Sequence, residues 1–79
     1  MTAQETFGIN VRELRTQAGL TQLELAHESG LDLSYISDLE LGKRNPSLRV
    51  MLKLAAGLSC DMGALLQGIE PEARISDEE

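Results

Sequence analysis

Residues Thr21 to Pro46 read TQLELAHESGLDLSYISDLELGKRNP. Thr21 and Glu24 form a Thr-x-x-Glu capping box, in which the hydroxyl accepts from an otherwise orphan backbone N–H and the glutamate reaches back to the cap. A helix is therefore expected from Gln22 to Ser29. Ala26 is small where two helices must cross closely, and Gly30 takes the positive φ that ends a helix without a Cβ penalty. Asp32 is expected to cap a second helix over Leu33 to Leu41, stopped by Gly42. Leu31, Ile36 and Leu39 point inward from it, which leaves Leu33, Ser34, Ser37 and Asp38 on the outer face. A basic pair, Lys43 and Arg44, follows.

On the N-terminal side a helix is expected from Ala3 to Ala18, with Thr2 and Glu5 as another capping box, Phe7, Val11, Leu14 and Ala18 as its buried stripe, and Gly19 as its end. On the C-terminal side Asn45 is expected to cap a helix starting at Pro46, a residue tolerated at the first helical position. Its apolar positions are Leu48, Met51, Leu52, Ala55 and Leu58. Asp61 caps a short fifth helix carrying Met62, Leu65 and Leu66, before Gly68 and Pro71 break regular structure. The expected architecture is all-α: a compact five-helix domain over residues 1–69, followed by an acidic, disordered tail over residues 70–79.

Composition bounds the same picture. The chain's 79 residues make one domain, in the size range where a single core is marginal and dimerisation usually helps. Phe7 and Tyr35 are the only aromatic residues, so the core is left to Leu, Ile, Val, Ala and Met. A lone cysteine, Cys60, excludes an internal disulfide, and no apolar run approaches the roughly 20 residues of a membrane span. The opening MTAQETFG lacks the charged and apolar regions of a signal peptide, so a cytoplasmic protein is expected. His27 reads as a surface side chain and Cys60 as a small buried hydrophobe. With no carboxylates clustered around them, no metal, cofactor or catalytic triad is expected, and no enzyme.

The formal net charge of -6 gives no global attraction to a polyanion. Its location changes that reading. Beyond residue 69, Glu70, Glu72, Asp77, Glu78 and Glu79 face only Arg74. In the body, Lys43 and Arg44 cluster after the third helix while Arg12 and Arg15 lie on the first, so a local positive field is compatible with the acidic total. The plain alternative is four ordinary solvated charges.

A polar outer face on a helix held from within is the form that enters a DNA major groove. From about Phe7 to Leu66 the chain resembles the helix-turn-helix domain of the phage repressor and Cro family, also called the xenobiotic response element family. The resemblance is carried by Gln22, Leu25, Ala26, Gly30, Ile36, Leu39, Glu40, Gly42 and the run Asn45-Pro46-Ser47-Leu48. The total length is also similar to that of restriction-modification controller proteins, small stand-alone members of the family.

The resemblance implies a compact, lambda-repressor-like fold and a sequence-specific transcriptional regulator acting on double-stranded DNA. By position, Leu33, Ser34 and Asp38 would read base edges. Gln22, Tyr35, Ser37, Lys43 and Arg44 would contact phosphate and backbone. Ser34 can donate or accept to several bases, Leu33 can pack on a thymine methyl, and Asp38 can accept only from an amino donor such as cytosine N4. None makes the bidentate arginine-to-guanine contact, and Leu41 stands where many relatives carry Arg or a polar residue. Modest affinity, with part of the specificity from DNA shape, is expected. Arg15 and Glu40 match a family ion pair that orients the reading helix; the alternative is two separately solvated charges.

Met51, Leu54, Met62, Leu65 and Ile69 exceed what one small core needs, and part of this set is expected to form a dimer surface on the fourth and fifth helices. A two-fold homodimer would present two reading helices to half-sites of a partly palindromic operator about 34 Å apart. The rival expectation is an antitoxin or adaptor of the same fold whose acidic tail contacts a basic protein partner. For the tail itself the plain reading is a solvated terminus.

Overall fold

The computed structural model describes residues 1–71, and the acidic tail from residue 72 onward lies outside them. Five helices follow one another: α1 (Ala3–Gln17), α2 (Gln22–Ser29), α3 (Leu33–Glu40), α4 (Leu48–Leu58) and α5 (Met62–Leu65). Both expected capping boxes form. At α1 the Thr2 N–H donates to Glu5 Oε1 at 2.8 Å and the Glu5 N–H to Thr2 Oγ1 at 3.1 Å. At α2 the corresponding Thr21 and Glu24 bonds are 2.8 and 3.0 Å. Gly30 ends α2 at φ 71°, the left-handed conformation that only glycine adopts cheaply.

Four expectations are corrected. Helix α4 starts at Leu48 rather than Pro46, because Ser47 outcompetes Asn45 as the cap by accepting the Val50 N–H at 3.1 Å. That start turns Leu54, Ala55 and Leu58 inward and leaves Leu48 and Leu52 exposed. Asp32 occupies the N-cap of α3 but makes no side-chain cap bond. Ala18 lies past the end of α1 and is exposed, so the buried stripe of that helix is Phe7 and Val11, flanked by half-buried Leu14. Finally, Leu54 and Leu65 are fully buried and belong to the core, so neither is available to a dimer surface. Met51, Met62 and Ile69 are half-buried at the edge of that core.

The core joins Phe7, Val11, Leu25, Ala26, Ile36, Leu39, Leu54, Ala55, Leu58 and Leu65 from all five helices. Helix α3 packs on α1 and α2, while α4 lies across α2. Close approach is set by small residues. A Cβ on Gly8 of α1 would run into the Leu39 carbonyl oxygen of α3, and one on Gly57 of α4 would sit 3.1 Å from Ser29 Cβ of α2. Asn10 of α1 donates to the Leu65 and Gln67 carbonyls at 2.9 and 2.8 Å, satisfying the otherwise orphan end of α5 and tying it down.

Candidate nucleic-acid interface

Helix α3 is held from behind and clamped at its end. Ile36 and Leu39 are fully buried, which fixes which of its faces looks out. At its last residue the Glu40 carboxylate accepts from Arg15 Nε at 2.6 Å, Arg15 Nη2 at 3.0 Å and Gln22 Nε2 at 3.0 Å. Arg15 Nη1 also donates to the Leu20 carbonyl at 2.9 Å. The Arg15 and Glu40 side chains retain only 12% and 4% of their exposure, so the pair is largely shielded from water. Its hydrogen bond to Glu40, opposed by burial, holds the Arg15 guanidinium above its already high ordinary pKa. Helices α1, α2 and α3 therefore meet at one polar clamp, and the pair that the resemblance implied is present with Gln22 as an added member.

The outer side of α3 carries the expected residues. Leu33 and Ser34 are exposed, and Tyr35, Ser37 and Asp38 are half-exposed. Leu41, just past the helix, is 63% exposed. Lys43 and Arg44 lie exposed beyond it. The Arg44 guanidinium does not extend away from the helix. It lies 5.2 Å from the centroid of the Tyr35 ring, with Nη2 3.5 Å from Asp38 Oδ2.

Beside α3, a notch of about 260 Å³ is lined by Arg12, Arg15, Gln22, Ser37, Glu40 and Leu41. The N-terminus of α2 borders it. Its capping box occupies the Glu24 N–H, while helix geometry leaves the Gln22 and Leu23 N–H groups without intrahelical acceptors, the arrangement that favours an anion. The Gln22 side chain is turned to Glu40, so it is the backbone of this residue that remains for an anion. The sequence counts Arg12 toward a local positive field from the first helix but does not seat it beside α3. What places it here is the crossing of α1 over α3 at Gly8, a contact between residues too far apart in sequence to be read from spacing.

His27 is exposed, as expected. Cys60 is half-buried, and burial followed by the neighbouring Asp61 charge pushes its thiol above the usual cysteine pKa. Among the described residues no cluster of His, Cys, Asp or Glu could hold a metal ion.

Comparison with known proteins converges on one family. A helix-turn-helix family model matches residues 11–65. The crystal structure of the restriction-modification controller protein C.AhdI from Aeromonas hydrophila is similar, with a TM-score of 0.77 and 48% identity over 78% of this chain and 94% of that one. Control protein C.MunI from a Mycoplasma species is 39% identical over 67 residues, covering 84% of this chain and 90% of its own. The HTH-type transcriptional regulator DdrOP3 from Deinococcus deserti is 38% identical over 60 residues, and this chain spans 46% of that regulator's length.

Proposed function

The chain belongs to the helix-turn-helix family of the Cro type and is a DNA-binding regulator, and from that premise we propose that it binds a partly palindromic operator as a homodimer with α3 in the major groove. The observation that carries this reading is the three-membered clamp of Arg15, Glu40 and Gln22. It fixes the orientation of the exposed α3 face relative to the anion-ready N-terminus of α2, which is what docking a helix against two phosphate strands requires. Leu33 and Ser34 meet base edges. The Gln22 backbone, Arg12, Ser37 and Lys43 meet phosphate on the two flanks, and Tyr35 lies along the same helix.

The dimer surface is the half-buried and exposed apolar edge of α4 and the chain after α5. Met51, Leu66 and Ile69 line one depression of about 250 Å³ together with buried Phe7, and Met62 is half-buried against the core. No helix of the described residues is long and apolar enough to cross a membrane, and we place the protein with its DNA in the cytoplasm.

Selection of bound duplexes from a random pool, followed by titration at several salt concentrations, tests the reading. A regulator neutralising several phosphates loses affinity with a log–log salt slope of about -0.9 per phosphate, and the selected sequences should show paired half-sites. Failure to enrich any duplex, or a flat salt response, would remove DNA as the partner and favour a protein-interaction module.

A further inference from the structure

Arg44 lies against the reading face, where the structure holds it on Tyr35 and Asp38 of α3. Tyr35 and Asp38 stand three residues apart and so share one side of α3. Arg44 folds back over both, its guanidinium 5.2 Å from the Tyr35 ring centroid and 3.5 Å from the Asp38 carboxylate. The two charged side chains remain 50% and 39% exposed, open to whatever approaches the face. An exposed ion pair of this length is weakly held, whereas a phosphate or the O6/N7 edge of guanine offers an arginine two acceptors at once.

Asp38 has little to gain from the same groove. A carboxylate is repelled by phosphates on both sides and finds a donor only at an amino group such as cytosine N4. Resting on the reading of α3 as the DNA-contacting helix, we propose that Asp38 is a positioning residue that holds Arg44 over Tyr35 and competes with DNA for its guanidinium. Arg44, released from Asp38, then supplies the strong cationic contact that Leu33 and Ser34 lack. The pair sets affinity low and makes it depend on how well a given sequence presents acceptors to Arg44.

The test uses the full chain, the duplex it selects from a random pool, and the variants Asp38→Asn, Arg44→Ala and their combination. Asp38→Asn should bind about three- to fivefold more tightly, the size of an exposed ion pair, with thermal melting unchanged. In the Arg44→Ala background the gain should vanish. Loss of a guanine preference at one position in Arg44→Ala would place the acceptor on a base edge, and uniform weakening would place it on phosphate; both support the competition.

A gain that survives Arg44→Ala would overturn the proposal, because Asp38 would then act only as a repelling charge. Weaker binding by Asp38→Asn with an altered preference opposite cytosine would also overturn it, because Asp38 would be reading a base itself. Wild-type protein that selects no duplex would instead sink the DNA-binding reading, so the two failures are distinct.

Discussion

Replacing Glu40 by alanine attacks the clamp that orients α3. The substitution leaves the Arg15 guanidinium with the Leu20 carbonyl as its remaining acceptor and strips the Gln22 carboxamide of its partner. Removing one member of a buried pair costs about 3–5 kcal/mol, because the other charge stays behind uncompensated. Here the arginine keeps 12% exposure and lies near the surface of a small domain, so water recovers part of the loss and about 2–3 kcal/mol is expected. For a domain of this size that lowers Tm by roughly 10–20 °C. Thermal melts followed by far-UV circular dichroism read the first effect, and fluorescence anisotropy on the selected duplex reads weakened binding.

The raised Arg15 pKa gives the sign of the pH dependence on the alkaline side. Stability from a raised group persists until pH climbs through its folded-state pKa, so the Arg15 contribution should stay flat through pH 9. A second variant, Arg15→Met with Glu40→Leu, removes both charges and should regain most of the melting temperature without regaining DNA affinity. A Glu40→Ala protein melting within about 2 °C of wild type, a shift worth only a few tenths of a kcal/mol, would refute the idea that the clamp orients the helix.

Gly8→Ala should destabilise by at least about 1–3 kcal/mol, since its Cβ meets the immovable Leu39 and Glu40 carbonyls; a helix-propensity gain seen as a higher Tm would contradict that packing. Leu65→Glu and Leu66→Glu separate core from edge: the first should unfold the chain, and the second should leave it folded but monomeric by analytical ultracentrifugation. Lys43→Ala should weaken binding to all duplexes alike and shallow the salt slope by about 0.9, whereas Ser34→Ala should change the order of preference among duplexes. Identical behaviour of the two variants would mean that α3 does not face the bases.

The parts legible in the sequence are those coded by local chemistry. Two Thr-x-x-Glu boxes, the glycine at 30 and the inward pair Ile36 and Leu39 each state their own role within a few residues, and all four hold in the structure. The start of α4 was not legible, because Asn45 and Ser47 are equally good cap residue types by sequence, and only the structure shows Ser47 accepting the Val50 N–H with Leu54 buried behind it. The burial of Leu54 and Leu65 was hidden for the same reason: an apolar residue at helical spacing looks alike whether it meets its own core or a second copy. Arg44 turning back onto Tyr35 was beyond reach as well, since it sits fourth in the seven-residue connection from α3 to α4, which leaves its side-chain direction open. Only the Arg15–Glu40 pair, invisible to spacing, was anticipated from afar, through the family resemblance rather than from geometry.

The acidic total resolves once each carboxylate is followed to its place. Glu5 and Glu24 are spent at helix N-termini inside capping boxes, and Asp61 caps α5 by accepting the Ala64 N–H at 2.9 Å. At those sites negative charge offsets the positive end of a helix dipole rather than projecting a field outward. Glu40 is buried against Arg15, and Asp38 is paired with Arg44. Of the acidic residues before residue 69, that leaves Glu13, Glu28 and Asp32 without such a role among the described residues, while Arg12 and Lys43 have no ion-pair partner there and border the α3 face. Screening at physiological salt confines each charge to about 8 Å, so a DNA strand against α3 senses these neighbours and not the net -6. The formal charge of a small regulator is thus a poor guide to its partner when the carboxylates nearest its reading helix are paired and others are held in helix caps.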